Sequence, residues 1–122
     1  MENKKILILG SSGFLGSHLV KFLLKNNEVV QFDMNPPPQK IADSEFIKGS
    51  ILDKTLVTSA MKDVDIVYHF AAMTDIDIVN ESPAQAIEVN IAGTSNVLEA
   101  CVQEKIERLI LLVGNHLNTR YA

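Results

Sequence analysis

The chain has 122 residues, a formal net charge of −4 and a hydrophobic fraction of 47%. This length predicts one domain that buries roughly two-thirds of its unfolded surface, and the acidic balance without a basic cluster argues against nucleic acid or an anionic membrane as a partner. No apolar run approaches the roughly 20 residues of a membrane span. The one cysteine, Cys101, excludes an internal disulfide and fits a reducing compartment, so we expect a cytoplasmic protein.

The first predicted element is a short buried strand, residues 4–9, which leads into a glycine-rich turn. Gly10, Gly13 and Gly16 follow at intervals of three residues, and a helix is predicted over residues 14–26. Such glycines allow a tight turn, a close approach of backbone N–H groups to a pyrophosphate, and close packing of helix on sheet. The helix N-terminus adds partial positive charge. The predicted buried stripe of the helix consists of Leu15, Leu19, Phe22 and Leu23.

The second predicted strand, Glu28–Asp33, ends in a carboxylate. Asp33 lies 17 positions after Gly16, close to the spacing of about 20 expected for an acidic residue that binds the adenosine ribose. No Lys or Arg follows until Lys40, so a 2′-phosphate would meet repulsion, and NAD is favoured over NADP. A glycine triplet alone is weak evidence, and the alternative is a turn that only packs a helix on the sheet.

Further elements are predicted after Asp33. Residues 36–38 are prolines, which form a stiff loop that cannot continue the sheet and that we expect beside the adenosine pocket. Glu45–Lys48 is predicted as a third strand, and Asp53 is positioned to cap a helix over residues 54–62. The buried side of that helix is predicted to hold Leu56, Val57, Ala60 and Met61.

The second half of the chain continues the alternation of strand and helix. Residues 64–70 are predicted as a fourth strand. Ser82 as N-cap and Pro83 at the first helical position begin a helix that ends near Glu104, and residues 108–113 form a fifth strand. One face of the long helix is predicted to carry Ile87, Ile91, Leu98 and Cys101. The alternation predicts an α/β fold with a doubly wound parallel sheet in the order 3-2-1-4-5 and a ligand above strands 1 and 4.

The remaining reactive side chains favour structural interpretations. His18 could donate to a phosphate, although an exposed surface histidine is the favoured alternative, and His69 is interpreted as structural. Cys101 falls among apolar neighbours and is predicted to be a structural thiol rather than a nucleophile. Asp75, Asp77 and Glu81 lack a compact cation-binding pattern, so no metal site is predicted.

Four segments together resemble the extended short-chain dehydrogenase/reductase family of the NAD-dependent epimerase/dehydratase type. Residues 8–16 match its G-x-x-G-F-[IL]-G turn, and Asp33 matches its acidic residue. Residues 67–72 match its V-x-H-x-A-A strand end, and residues 90–100 match its N-x-x-G-T-x-N-[VL]-L-E-A helix. The resemblance covers roughly residues 4–112.

This resemblance implies a Rossmann-like domain with NAD as cofactor. Asp33 would bind the adenosine ribose, and Ser50 and Ile51 would flank the adenine. The family usually has Asp where this chain has Ser50, so the contact with the adenine amino group lacks a charge and the affinity is expected to be lower. The pyrophosphate would lie against Gly10, Gly13, Phe14, Leu15 and Gly16. The path to the nicotinamide ribose would be lined by Phe70, Ala71 and Ala72.

The resemblance ends after the fifth strand. The family's catalytic Ser or Thr would fall on residues 113–116, which contain no hydroxyl, and Tyr121 has no Lys four residues later. We therefore expect one domain over residues 1–122, with 113–122 as a divergent tail, no catalytic residue, and a truncated sheet.

Three functions follow as hypotheses. The favoured one is the NAD-binding, or adenine-nucleotide-binding, portion of a nucleotide-sugar epimerase or dehydratase, inactive alone. The chain could instead be part of a split enzyme completed by another chain, or a non-enzymatic self-associating module. A fifth strand at the sheet edge without its covering helix invites pairing, so a homodimer is expected.

Overall fold

Five parallel strands form one sheet in the computed structural model, which describes residues 1–71 and 81–112. The strands are β1 (Lys5–Leu9), β2 (Glu28–Asp33), β3 (Glu45–Lys48), β4 (Ile66–His69) and β5 (Arg108–Leu111). The helices are α1 (Phe14–Leu23), α2 (Lys54–Ala60), α3 (Pro83–Ile87) and α4 (Thr94–Gln103), with a π-helical segment, Glu88–Gly93, between the last two. The strand order is β3-β2-β1-β4-β5, which confirms the predicted order and fold class.

The sheet is covered on both faces because the side chains of its central strand alternate. Leu7 and Leu9 of β1 pack in the apolar cluster that also holds Val57 of α2 and Val97 of α4. Ile6 and Ile8 belong to the opposite cluster, which contains the buried side of α1. Residues 6–9 are fully buried, as expected for the middle of a parallel sheet. β1 pairs with β2 on one side and with β4 on the other, so the topological switch point lies between β1 and β4.

The structure confirms the N-cap and the buried side that were predicted for α2. The Asp53 side chain accepts a hydrogen bond from the backbone N–H of Leu56 at 3.1 Å, which satisfies one free donor of the first turn. Val57, Ala60 and Met61 are buried. The helix ends at Ala60, two residues before the predicted end.

The buried stripe predicted for α1 is wrong in part. The buried residues are Gly16, Val20 and Leu23, whereas Leu15 and Phe22 are 52% and 65% exposed. Gly16 has to face the turn that precedes the helix, and this contact sets which row of side chains points to the sheet. The helix also ends at Leu23, three residues earlier than predicted.

The helix predicted from Ser82 to about Glu104 has the predicted ends, since helical backbone runs from Pro83 to Gln103, but its predicted apolar face is wrong. Ser82 occupies the N-cap position, but its side chain makes no capping hydrogen bond, and the helix is interrupted by the π-helical segment. A π-turn adds a residue to the helical repeat, so one apolar stripe cannot stay on one face through it. Ala86, Gly93, Val97 and Ala100 are buried, whereas Ile87, Ile91 and Leu98 are exposed.

The predicted strand at residues 64–70 is shorter in the structure, since β4 covers Ile66–His69. None of the helices in the described parts of the chain is long and apolar enough to cross a membrane.

Candidate functional site

A cleft of about 240 Å³ lies at the carboxyl ends of the strands, between the glycine turn after β1 and the segments that follow β2, β3 and β4. The predicted site residues that line it are Gly10, Gly13, Asp33, Ser50, Ile51, Phe70 and Ala71. Phe14, Leu15 and Gly16 are not among its lining residues, and Ala72 lies outside the described residues. The cleft is also lined by residues that the sequence analysis did not select, namely Phe32, Met34, Asn35, Gly49 and Val89.

The three glycines of the turn have different roles. Gly10 has φ +87°, and a Cβ there would lie 2.7 Å from the backbone carbon of Phe70. A Cβ on Gly16 would overlap the carbonyl oxygen of Gly10, so these two glycines pack the turn against β4 and α1 against the turn. A Cβ on Gly13 would meet only the Gly10 oxygen, at an ordinary 3.5 Å. Gly13 is therefore the glycine of the turn that has open space on its Cβ side, and it lines the cleft.

The amino end of α1 has no side-chain cap. Gly13 is the N-cap residue, and no side chain makes a capping hydrogen bond there. The first N–H groups of a helix lack intrahelical partners and carry partial positive charge. Beside an open glycine, this end of α1 can bind an anionic group such as a phosphate.

Asp33 connects the end of β2 to the glycine turn. One carboxylate oxygen accepts a hydrogen bond from the Ser12 N–H at 3.0 Å, and the other accepts from the Asn35 N–H at 2.9 Å. The Ser12 hydroxyl donates to the Asn35 carbonyl at 2.7 Å. A carboxylate has about four acceptor positions, so Asp33 orders this loop and keeps acceptor capacity for hydroxyl groups in the cleft.

The end of the cleft beyond Asp33 is held by α4. The Asn96 amide donates to the carbonyl of Ile51 at 3.0 Å and to that of Leu52 at 3.3 Å. Gly93 allows Ile51 to lie against the helix, because a Cβ on Gly93 would lie 2.5 Å from Ile51 Cδ1. The sequence analysis included both residues only in the helix motif and gave neither a role; the G-T-x-N pattern was the available signal.

His69 ends β4 as a buried residue, 2% exposed. A hydrogen bond joins its Nε2 to Thr94 Oγ1 at 3.0 Å, whereas Nδ1 has no hydrogen-bond partner in the part of the chain that the structure describes. Burial lowers the pKa of His69, so the imidazole is neutral at pH 7. This arrangement fits the predicted structural role.

The other reactive side chains that the structure describes do not line the cleft. The ring of His18 is exposed, and its Nδ1 lies 2.7 Å from the Phe14 carbonyl oxygen. Burial raises the pKa of Cys101 to about 11, so its thiol is protonated at neutral pH and unsuited to nucleophilic attack. The structure does not describe Asp75, Asp77, His116 or Tyr121. Across residues 1–71 and 81–112, no cluster of three His, Cys, Asp or Glu is arranged to hold a metal ion.

Comparison with known proteins agrees with this geometry. The chain is 35% identical to the UDP-N-acetylglucosamine 4,6-dehydratase (inverting) of Campylobacter jejuni, over 92% of this chain and 37% of that protein. Its fold matches the epimerase Mth375 of Methanothermobacter thermautotrophicus with a TM-score of 0.83 and 29% identity, covering 90% of this chain and 35% of that one. It also matches MoeE5 in complex with UDP-glucose and NAD, with a TM-score of 0.79 and 29% identity over 88% and 35% of the two chains.

The chain thus spans little more than a third of the length of these relatives. The family match itself covers residues 6–117, which is most of the chain and includes the glycine turn, Asp33 and the α4 motif. On this match, the chain belongs to the NAD dependent epimerase/dehydratase family.

Proposed function

We propose that this chain is the NAD-binding portion of a protein that acts as an epimerase or dehydratase on nucleotide sugars. The observation that carries the proposal is that Gly13, the N-cap residue of α1, and Asp33 line one cleft. The names of the similar proteins support it, since one is a UDP-N-acetylglucosamine 4,6-dehydratase and another was solved with UDP-glucose and NAD. That the substrate is a nucleotide sugar is likewise proposed from these similar proteins.

The cleft residues suggest how the cofactor is held. The pyrophosphate lies at Gly13 and the amino end of α1, where free N–H groups are available. The adenosine ribose lies at Asp33, whose spare acceptor positions suit its hydroxyls. Ser50 and Ile51 then meet the adenine, and Phe70, Ala71 and Ala72 line the nicotinamide side. No Lys or Arg of the described segments lines the cleft, which favours NAD over a 2′-phosphorylated cofactor.

We propose that the chain does not catalyse the reaction alone. Bound NAD supplies a hydride acceptor, but the reacting sugar hydroxyl also needs a group that takes up its proton. The 122-residue sequence contains no Tyr-x-x-x-Lys pattern. In the alternative hypothesis of a split enzyme, another chain supplies these groups. Turnover of a nucleotide sugar by this chain alone would contradict both hypotheses.

Calorimetric titration with NAD tests the binding proposal. The wild-type chain is expected to release or take up heat at NAD concentrations up to millimolar. Gly13→Ala places a methyl group at the phosphate position without a backbone clash, and should weaken binding at least about tenfold. Ser17→Ala is the matched control, because Ser17 lies on the same turn of α1 but does not line the cleft. No heat from the folded wild-type chain, together with an unchanged melting temperature, would reject the proposal.

We further propose that the chain forms a homodimer. Ile91, Leu98 and Val102 are 67%, 48% and 80% exposed on the outer side of the π-helical segment and α4. Leu98 and Val102 are four positions apart and so share one side of α4, and Ile91 is exposed on the preceding π-helical segment; large exposed apolar side chains that lie together are typical of an interface. This apolar surface, rather than the cleft, is the contact that we assign to a second copy.

We also propose a cytoplasmic location, which is predicted from the sequence alone.

A further inference from the structure

The segment after β3, residues 49–52, forms the end of the cleft beyond Asp33. The sheet order places β3 outside β2, on the side away from β4. In a dinucleotide whose phosphates lie at α1 and whose ribose lies at Asp33, the base therefore extends toward this segment. This placement rests on the proposed function, and it puts the edge of the purine against Ser50 and the apolar side chain of Ile51.

Three consecutive carbonyls of this segment are already engaged. The Ser50 carbonyl accepts a hydrogen bond from the Asp53 N–H at 3.0 Å, and the carbonyls of Ile51 and Leu52 accept from Asn96. The 6-amino group of adenine is a donor and needs an acceptor. Each of these oxygens keeps a second lone pair, but the hydrogen bonds fix the backbone of the segment, so the polar group that can adapt to the base has to be a side chain.

The Ser50 hydroxyl is thus the polar side chain that this segment presents to the cleft. Its oxygen accepts a hydrogen bond from the Leu52 N–H at 3.1 Å, and Ser50 is half-buried and lines the cleft. This contact uses one lone pair of the oxygen. A serine hydroxyl has a second lone pair and one hydrogen, so Ser50 can still accept one hydrogen bond and donate one.

We propose that Ser50 makes the base subsite equally receptive to 6-amino and 6-oxo purines, so that the hypoxanthine analogue of NAD binds about as well as NAD. Adenine presents an amino donor at position 6, whereas a 6-oxo purine presents an acceptor there. By rotating its hydrogen, the Ser50 hydroxyl meets either group. A carboxylate in its place only accepts, and would repel the 6-oxo oxygen. Asp33, the one carboxylate that lines the cleft within the described residues, is engaged at the ribose end.

Calorimetric titration of the 122-residue chain with NAD and with nicotinamide hypoxanthine dinucleotide tests the inference. For the wild-type chain, the two dissociation constants should agree within about threefold, and Ser50→Asp should raise the preference for NAD at least about tenfold. Ser59→Asp is the matched control, because it adds the same charge on α2 outside the cleft, and should keep the wild-type ratio. A melting curve of each variant checks its folding.

The outcomes separate this inference from the function on which it rests. If the folded wild-type chain binds neither dinucleotide, the NAD-binding proposal is rejected and the inference with it. If it binds NAD with more than a threefold preference over the hypoxanthine analogue, the base-tolerance inference alone is overturned. This second comparison uses only the wild-type chain, so it does not depend on the stability of Ser50→Asp. A Ser50→Asp variant that folds and keeps the wild-type ratio would also overturn it.

Discussion

Gly10 and Gly16 have no room for a methyl group, whereas Gly13 does. Gly10→Ala forces an alanine into φ +87° against the β4 backbone, and Gly16→Ala forces a Cβ into the Gly10 carbonyl. Each is expected to lower the free energy of unfolding by about 2–4 kcal/mol. Gly13→Ala should lower it by less than about 1 kcal/mol. Urea denaturation measures all three, and equal losses would contradict the division of roles.

The buried imidazole of His69 predicts a pH dependence of stability. Its pKa in the folded chain lies below the ordinary 6.5, so below pH 6.5 the unfolded chain binds this proton more readily than the folded chain. Stability is therefore highest above pH 6.5 and falls as the pH decreases toward the folded pKa, with a slope of at most about 1.4 kcal/mol per pH unit. Urea denaturation between pH 5 and 8 should reveal a shallower slope for His69→Asn.

The control for this titration is His18→Asn, which removes an exposed imidazole. It should keep the wild-type pH dependence, because the effect is assigned to burial of His69. If His69→Asn has the wild-type slope, burial of His69 is not the cause of the pH dependence of stability. If His18→Asn changes the slope as much as His69→Asn, the dependence arises from elsewhere.

The hydrogen bonds of Asn96 are expected to link the stability of the chain to its affinity for NAD. Asn96→Ala leaves the carbonyls of Ile51 and Leu52 without their side-chain donor, and is expected to cost about 1–2 kcal/mol of stability. Because the same carbonyls shape the segment beside Ser50, NAD affinity should also fall, by at least about threefold. Ser95→Ala, on an exposed residue next in sequence, is the control for both measurements. A loss of stability with unchanged affinity would restrict Asn96 to a structural role.

At the scale of elements, strands were more predictable than helix faces. β1 and β2 appear in the sequence as short, mainly apolar runs between polar or glycine residues, and a strand that is buried on both faces needs no choice of face. A helix requires that choice, and apolar residues occur on both sides of α1. Leu15 and Phe22 match the helical period as well as Val20 and Leu23 do, and only the contact of Gly16 with the turn decides between them.

The π-helical segment limited the prediction of the second helical region for a different reason. Its extra residue per turn changes the phase between α3 and α4, so Ile87 and Leu98 cannot be assigned to one face by counting from either end. No local residue pattern marks a π-turn. The motif around Gly93 and Asn96 indicates the region, but its contacts depend on a loop more than 40 positions earlier in the chain.

The packing of α4 on that loop predicts a coupling between Gly93 and Ile51. Gly93→Ala directs a Cβ at the end of the Ile51 side chain, and overpacking of this kind costs about 1–3 kcal/mol. Ile51→Ala removes the Cδ1 and Cγ1 atoms, which would lie 2.5 Å and 2.6 Å from this Cβ. In that background, Gly93→Ala should therefore cost at least about 0.5 kcal/mol less. A double-mutant cycle by urea denaturation measures the difference, and additive losses would contradict a direct contact.

At the scale of the whole molecule, the site follows from topology as much as from motifs. The glycine turn and Asp33 were selected by their places after apolar runs, and Phe70 and Ala71 by the family resemblance; they line one cleft because parallel strands bring their carboxyl ends to one edge. Val89 and Asn35 could not be selected in either way. They reach the cleft from segments whose path depends on the π-turn and on the hydrogen bonds of Asp33, and neither is marked by residue type or spacing.

The exposed apolar side chains of Ile91, Leu98 and Val102 predict that the chain forms a dimer in solution. Light scattering during size-exclusion chromatography is expected to give the wild-type chain twice the monomer mass, because pairing removes these side chains from water. Ile91→Lys combined with Val102→Lys should return it to monomer mass without loss of the melting transition, since both residues are exposed. Thr55→Lys, which adds charge on the exposed side of α2, should leave the dimer intact. A wild-type chain that stays monomeric at the highest attainable concentration would contradict self-association through this surface, and the apolar side chains would then need another partner to cover them.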